Sequence, residues 1–303
     1  MATHRRRSRL LKPALILAGT ATVAIAALTI TPSAHAIVGG STVVEDGVNP
    51  QPAVVKLFGD RGLLRDPDVC TGTLIASDRV LTAQHCTNKS DQQGRPFDPA
   101  EMTVAFRRGP ANPPFERTAA DIIRMPNYLQ APGGDDIAII RLDSPVTDVA
   151  PIPLLAGVEQ LTSVDRFGYG TADKDGLRSR LRNKGSAPSD TFDVRRSTET
   201  VVAPPEAALI VPACPELDSR GCWTPDNTLL TIDQGGGHST DGDSGGPAMA
   251  TTADGRYALA GVTMGSGSGN GHHYGFSNRV DTASAAWAFI SEHVPDLRTA
   301  PLR

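Results

Sequence analysis

Gly242-Asp243-Ser244-Gly245-Gly246-Pro247 places one serine between an acidic residue and a glycine pair, late in a 303-residue chain. Glycines at 242, 245 and 246 let backbone turn sharply and approach another group closely. A nucleophilic serine needs such a frame, because neighbouring N–H groups must point at a developing oxyanion. The same composition also describes a plain glycine-rich surface turn. Which reading holds depends on what the rest of the chain supplies.

Two further stretches supply partners. Val80-Leu81-Thr82-Ala83-Gln84-His85-Cys86 sets a histidine at the end of a β-type run, beside a cysteine. A neutral imidazole is the usual general base for a serine hydroxyl. Asp136-Ile137-Ala138-Ile139-Ile140-Arg141-Leu142 opens an apolar strand with a carboxylate, which can orient an imidazole and stabilise its charged form. Taken singly, His85 reads equally as a surface histidine and Asp136 as a turn residue, with Asp135 a competitor.

The residues before 37 stand apart. Arg5, Arg6, Arg7, Arg9 and Lys12 form a basic region, Pro13 to Ile30 is apolar, and Ala34-His35-Ala36 is a small-x-small cleavage pattern. This is the layout of a signal peptide, with a membrane anchor as the lesser alternative. Arg6-Arg7 hints at a twin-arginine signal, but Arg9 falls where an apolar residue belongs, which favours the general export route. Residues 1–36 are therefore expected to be a leader and 37–303 the mature domain. The leader carries five basic and no acidic residues, so the mature chain keeps 24 basic against 33 acidic, a balance of −9. An acidic surface argues against nucleic acid and anionic membranes as partners. Cys70, Cys86, Cys214 and Cys222 are an even set in an exported chain, and their order suggests bridges 70–86 and 214–222.

Short strand-like runs recur at near-regular spacing: Pro52–Phe58, Gly72–Ile75, Arg79–Ala83, Met102–Arg107, Ile122–Arg124 and Ile137–Leu142. Turn residues separate them, which reads as an all-β sandwich or barrel. A C-terminal helix is predicted from a cap at Asp281-Thr282 through His293, with Ala286, Phe289, Ile290 and Val294 on one apolar face. Thr171–Thr200 and Asp226–His238 read as long loops, with one strand near Thr198–Val202.

In the order His85, Asp136, Ser244, the three blocks resemble the trypsin/chymotrypsin family of serine proteases (peptidase S1). Ile37-Val38-Gly39-Gly40 resembles the family's mature N-terminus, and the resemblance spans the mature chain. It implies two six-stranded antiparallel β-barrels with a C-terminal helix, and a secreted serine endopeptidase. In that reading His85, Asp136 and Ser244 are the triad, and the N–H groups of Gly242 and Ser244 form the oxyanion hole. The ammonium of Ile37 pairs with Asp243 and orders that hole. Cleavage after Ala36 would release Ile37 directly, so export itself is expected to activate the enzyme; a chain that retains residues 1–36 cannot contain the pair.

The resemblance implies no cofactor and no metal. Polypeptide substrates, protein protease inhibitors and a monomeric state are expected. Its primary pocket is carried onto His238, Ser239, Thr263, Gly265 and Gly275. His238 stands where trypsins have an aspartate, so an arginine or lysine preference is not implied. Met264 replaces a common tryptophan, and Thr240 and Ser268 occupy the positions of a family disulfide, which suggests looser pocket walls. Gly265 and Gly275 suggest an open pocket for apolar or aromatic side chains; recognition of acidic side chains through His238 with Ser239, or through His272 or His273, is the second option. His272-His273 otherwise reads as a solvated pair, with zinc ligation the alternative. A catalytically silent binder on the same fold and an esterase with the same triad are the rival functions.

Overall fold

The computed structural model describes residues 37, 40–42, 51–59, 68–89, 94–107, 113–126, 136–170, 194–203, 227–235, 237–269 and 271–302. Their strands run, in chain order, β1 Ser41–Thr42, β2 Val54–Gly59, β3 Asp68–Ala76, β4 Arg79–Thr82, β5 Met102–Phe106, β6 Phe115–Arg124, β7 Ala138–Leu142, β8 Leu154–Leu155, β9 Ser163–Gly168, β10 Arg195–Val201, β11 Thr228–Asp233, β12 Pro247–Thr251, β13 Tyr257–Gly269, β14 His272–Arg279 and β15 Thr299–Ala300. One α-helix follows, α1, over Ala285–His293.

β2 to β7 close a six-stranded barrel in the order β2-β3-β4-β7-β6-β5. β9 to β14 form a second ring, β12-β9-β10-β11-β14-β13, closed by the β12–β13 pairing, with β1, β8 and β15 added at its margin. This is the double antiparallel barrel expected from the sequence.

The first barrel's strands are apolar on both faces for a reason. Val55, Leu57, Val80, Val104, Ile140 and Leu142 fill the barrel interior. Their alternate neighbours Val54, Phe58, Leu81 and Ile139 join Phe167, Met249, Leu259, Val262, Phe289 and Ile290 in a second core shared with the other barrel and α1. A strand buried on both sides loses the polar alternation that normally marks it. The two barrels are thus tied by a continuous apolar core.

The second barrel is filled differently. Small residues Ala248, Ala250, Ala258 and Ala260 pack with Val164 and Leu229 in one part. The other part holds a buried polar cluster. Arg166, fully buried, donates from Nε to Glu199 at 3.1 Å, from Nη1 to Thr263 and Ser277 at 2.6 and 2.9 Å, and from Nη2 to Thr231 at 3.0 Å. Every named partner is itself buried. Such a pair is tolerable only because its hydrogen bonds are met.

Three expectations need correction. The helix begins at Ala285, not at Asp281-Thr282: its N-cap is Ser284, and Asp281 instead receives Arg279 and turns the chain before the helix. The apolar face is as expected, with Ala286, Phe289, Ile290 and Val294 buried. Asp226–His238 is not a continuous loop, since β11 occupies Thr228–Asp233 and pairs with β10 and β14. The strand near Thr198–Val202 begins earlier, at Arg195. The Cys70–Cys86 bridge forms; Cys214–Cys222 lies outside the described residues.

Glu199→Ala strands a buried guanidinium and is expected to destabilise the protein by about 3–5 kcal/mol. The double change Arg166→Met with Glu199→Leu removes both charges and should cost clearly less than the single change. Denaturant unfolding of the two proteins checks this ordering.

Candidate active site

β4 and β7 are antiparallel neighbours, with Thr82 opposite Ala138. The residues just past their paired ends therefore meet. His85 sits in a single 3-10 turn, Gln84–Thr87, directly after β4. Asp136 lies two residues before β7 and is buried. Its Oδ2 stands 2.5 Å from His85 Nδ1, and its Oδ1 accepts from the His85 backbone N–H at 2.8 Å. A carboxylate held at both points fixes the ring's position and directs the Nδ1 proton towards itself. Burial by itself would lower the imidazole's pKa; the charge of Asp136 and its hydrogen bond outweigh it, and the net shift is upward from the ordinary 6.5.

Two supports were not read from the sequence. Asn278, buried on β14, donates from Nδ2 to the Asp136 carbonyl at 3.2 Å. Arg124, at the end of β6, donates to Thr87 Oγ1 and Thr87 O, both at 2.9 Å, and so holds the turn after His85.

Ser244 comes from the second barrel. Its loop is clamped by Thr71 of β3: Thr71 N donates to Ser244 O, and Thr71 Oγ1 to Gly242 O, each at 2.8 Å. The disulfide closes the arrangement, with Cys86 Sγ 3.8 Å from His85 Nε2 and 3.5 Å from Ser244 O. His85, Asp136 and the Ser244 loop thereby come together at the barrel junction. Among the described residues Ser244 makes no side-chain hydrogen bond to His85.

Within the serine loop the amides divide into two sets. Asp243, Gly245 and Gly246 N–H donate to the carbonyls of Thr240, Thr263 and Asp243. Those of Gly242 and Ser244 find no acceptor among the described residues. Gly245 has φ of +77°, and a Cβ there would lie 2.1 Å from Thr82 Oγ1 and 2.3 Å from Thr71 O, so only glycine fits between the barrels.

Asp243 points away from the cleft into the second barrel. It is fully buried; Oδ1 accepts from Gly170 N and Oδ2 from Thr240 N, each at 2.8 Å. Burial pushes its carboxyl up to about 7, against the opposing pull of the two N–H bonds and the nearby Arg166 charge. Ile37 is also fully buried, with its carbonyl accepting from Gly40 N. Among the described residues no hydrogen bond joins Ile37 to Asp243.

The chain's family follows at this point. The family described as Trypsin matches residues 37–288. This chain belongs to the trypsin family of serine endopeptidases. Trypsin of Saccharopolyspora erythraea is 27% identical over 234 residues, 75% of this chain and 85% of that protein. The venom plasminogen activator LV-PA of Lachesis muta muta is 28% identical, covering 72% and 73% of the two chains. The venom plasminogen activator Haly-PA of Gloydius brevicauda is 33% identical over 46% of this chain and 50% of its own.

The residues assigned to the pocket are distributed unevenly in this trypsin-family chain. Thr263 is buried and brackets the serine loop, giving its N–H to Gly246 O at 2.8 Å and taking Gly245 N at 2.7 Å. Gly265 faces open space. Gly275 does not: a Cβ there would meet Arg166 Nη2 at 2.5 Å and Thr231 Oγ1 at 2.7 Å, so the openness expected at this glycine is corrected. Near Thr240 and Ser268, Ser266 Oγ donates to Ser239 O at 3.1 Å. His238 is partly exposed and stacks on His273, ring centroids 3.7 Å apart.

In the uncleaved chain the folded protein holds a proton on Asp243 that the unfolded chain releases between pH 3.8 and about 7. That contribution to stability is present below the window and falls as pH rises through it. Thermal melts of wild type and Asp243→Asn, which cannot ionise, are expected to show the wild type's advantage shrinking from pH 4 to pH 7. A pH-independent difference would contradict the assignment.

Proposed function

We propose that the chain is a secreted serine endopeptidase that cleaves polypeptides through His85, Asp136 and Ser244. The observation that carries it is the doubly held His85–Asp136 pair facing the Ser244 loop across the barrel junction. The rotation that brings Ser244 Oγ to His85 Nε2 accompanies substrate binding, since such contacts tighten in the Michaelis complex.

In the first half-reaction His85 takes the hydroxyl proton as Ser244 Oγ attacks the scissile carbonyl carbon. Asp136 holds the ring tautomer and stabilises the imidazolium. The unengaged N–H groups of Gly242 and Ser244 receive the oxyanion, each such donor typically contributing about 3–4 kcal/mol. The tetrahedral species collapses, the C–N bond breaks, and His85 gives its proton to the departing amine. Water then repeats the sequence on the acyl-enzyme, with His85 again as base, and releases the acid and free Ser244.

Residues 1–36 act as a leader in this reading, and the family match beginning at residue 37 supports that boundary. Leader removal frees the Ile37 ammonium to pair with Asp243. The pocket borders on His238, Ser239, Gly265 and Gly275, with His238 standing at the position of trypsin's aspartate. A preference for arginine or lysine is accordingly not implied, and protein protease inhibitors would compete for the same site. The working form is a monomer.

Ser244→Ala is expected to abolish peptide hydrolysis while leaving the melting curve intact. Asp136→Asn should lower kcat/KM by roughly 10⁴ and move the acidic limb of the pH profile to lower pH, because the main cause raising the His85 pKa is gone. Cleavage-site profiling on a peptide library by mass spectrometry supplies both readouts. Undiminished hydrolysis by Ser244→Ala would overturn the proposal.

A further inference from the structure

Three segments place metal-binding side chains together beside the assigned pocket. Ile232 of β11 is opposite Tyr274 of β14, so the next residues along the ladder, Asp233 and His273, are cross-strand neighbours. His238, five residues after Asp233, folds back onto this pair. Its ring stacks on His273 at 3.7 Å, and its Nδ1 is 3.8 Å from Asp233 Oδ2. One ligand atom from each of the three lies within 4.8 Å of the others. All three side chains are partly exposed, so an ion can reach them from solvent.

We propose that Asp233, His238 and His273 bind a zinc ion. The donor set is two imidazoles and one carboxylate, which suits a borderline cation and not a hard one such as calcium. The atoms are also individually oriented. Asp233 Oδ1 accepts from Gly235 N at 3.1 Å, leaving Oδ2 for the ion. His273 Nδ1 stands 2.8 Å from Ser268 Oγ, which leaves Nε2 as its ligand atom once Nδ1 carries the proton. His238 offers Nδ1, the nitrogen nearest Asp233. Ligand atoms of a tetrahedral zinc stand roughly 3.3 Å apart, so modest side-chain rotations close the set and splay the stacked rings. Solvent completes the fourth position.

A second cluster of the same residue types, Cys70, His85 and Cys86, does not compete. Its sulfurs are joined in a disulfide and offer no thiolate.

The consequence for the enzyme rests on the pocket reading given above. His238 precedes Ser239, whose carbonyl anchors Ser266, and His273 lies two residues before Gly275. A bound ion ties the two pocket walls where the family disulfide is missing.

The test uses the chain beginning at Ile37 in a Ser244→Ala background, which removes self-cleavage and makes the measurement independent of turnover. After chelator treatment, zinc chloride is titrated calorimetrically at pH 7.5. One saturable site per chain is expected, with affinity lowered at least about tenfold by His238→Ala, by His273→Ala and by Asp233→Asn. His85→Ala and His272→Ala should bind as the parent does. Melting curves in the absence of zinc establish that each variant is folded. Absence of saturable binding, or binding lost in His85→Ala or His272→Ala but kept in His238→Ala and His273→Ala, would overturn the proposal.

Discussion

A single carboxylate, Asp243, stands where the serine loop meets the second barrel. It is fully buried and satisfied by two backbone N–H groups alone. Its nearest described cation, Arg166, has its hydrogen bonds committed to Glu199, Thr231, Thr263 and Ser277. Burial therefore raises the Asp243 pKa to about 7. A buried charge without a paired cation costs several kcal/mol, and the family's remedy is a freed ammonium at the chain start. The proposed activation is thus a statement about where a proton goes: shared on Asp243 in the uncleaved chain, replaced by the Ile37 ammonium after cleavage.

The fold serves this constraint through its barrel junction. Strands apolar on both faces let the first barrel share one apolar core with the second. Thr71 and the Cys70–Cys86 bridge then place the first barrel's His85 against the second barrel's Ser244 loop. Gly245 is the residue that permits this approach. The buried Arg166 cluster reaches Thr263, which brackets the same loop, and lies against Gly275.

The sequence made some of this legible and hid the rest for physical reasons. The serine, histidine and aspartate blocks are readable because short-range chemistry confines them to a few residues. The helix face at Ala286, Phe289, Ile290 and Val294 is readable from its period. β10 is only partly readable from sequence, because its inward residues Ser197 and Glu199 are polar and face Arg166 instead of an apolar core. β11 reads as loop from sequence because Thr228, Leu229, Leu230 and Thr231 are all buried and show no alternation. Arg166 and Asn278 gave no signal, since their roles depend on long-range pairing. Asp233 likewise became visible as a neighbour of His273 only through the β11–β14 register.

The most direct measurement compares the rate at which a fluorophosphonate labels Ser244 in the chain starting at Ile37 and in the full chain that keeps residues 1–36. Rapid labelling of the first and labelling at least about a hundredfold slower in the second is the predicted result, since one oxyanion donor alone is worth that factor. Equal labelling of the two chains, or labelling of neither, would contradict the account.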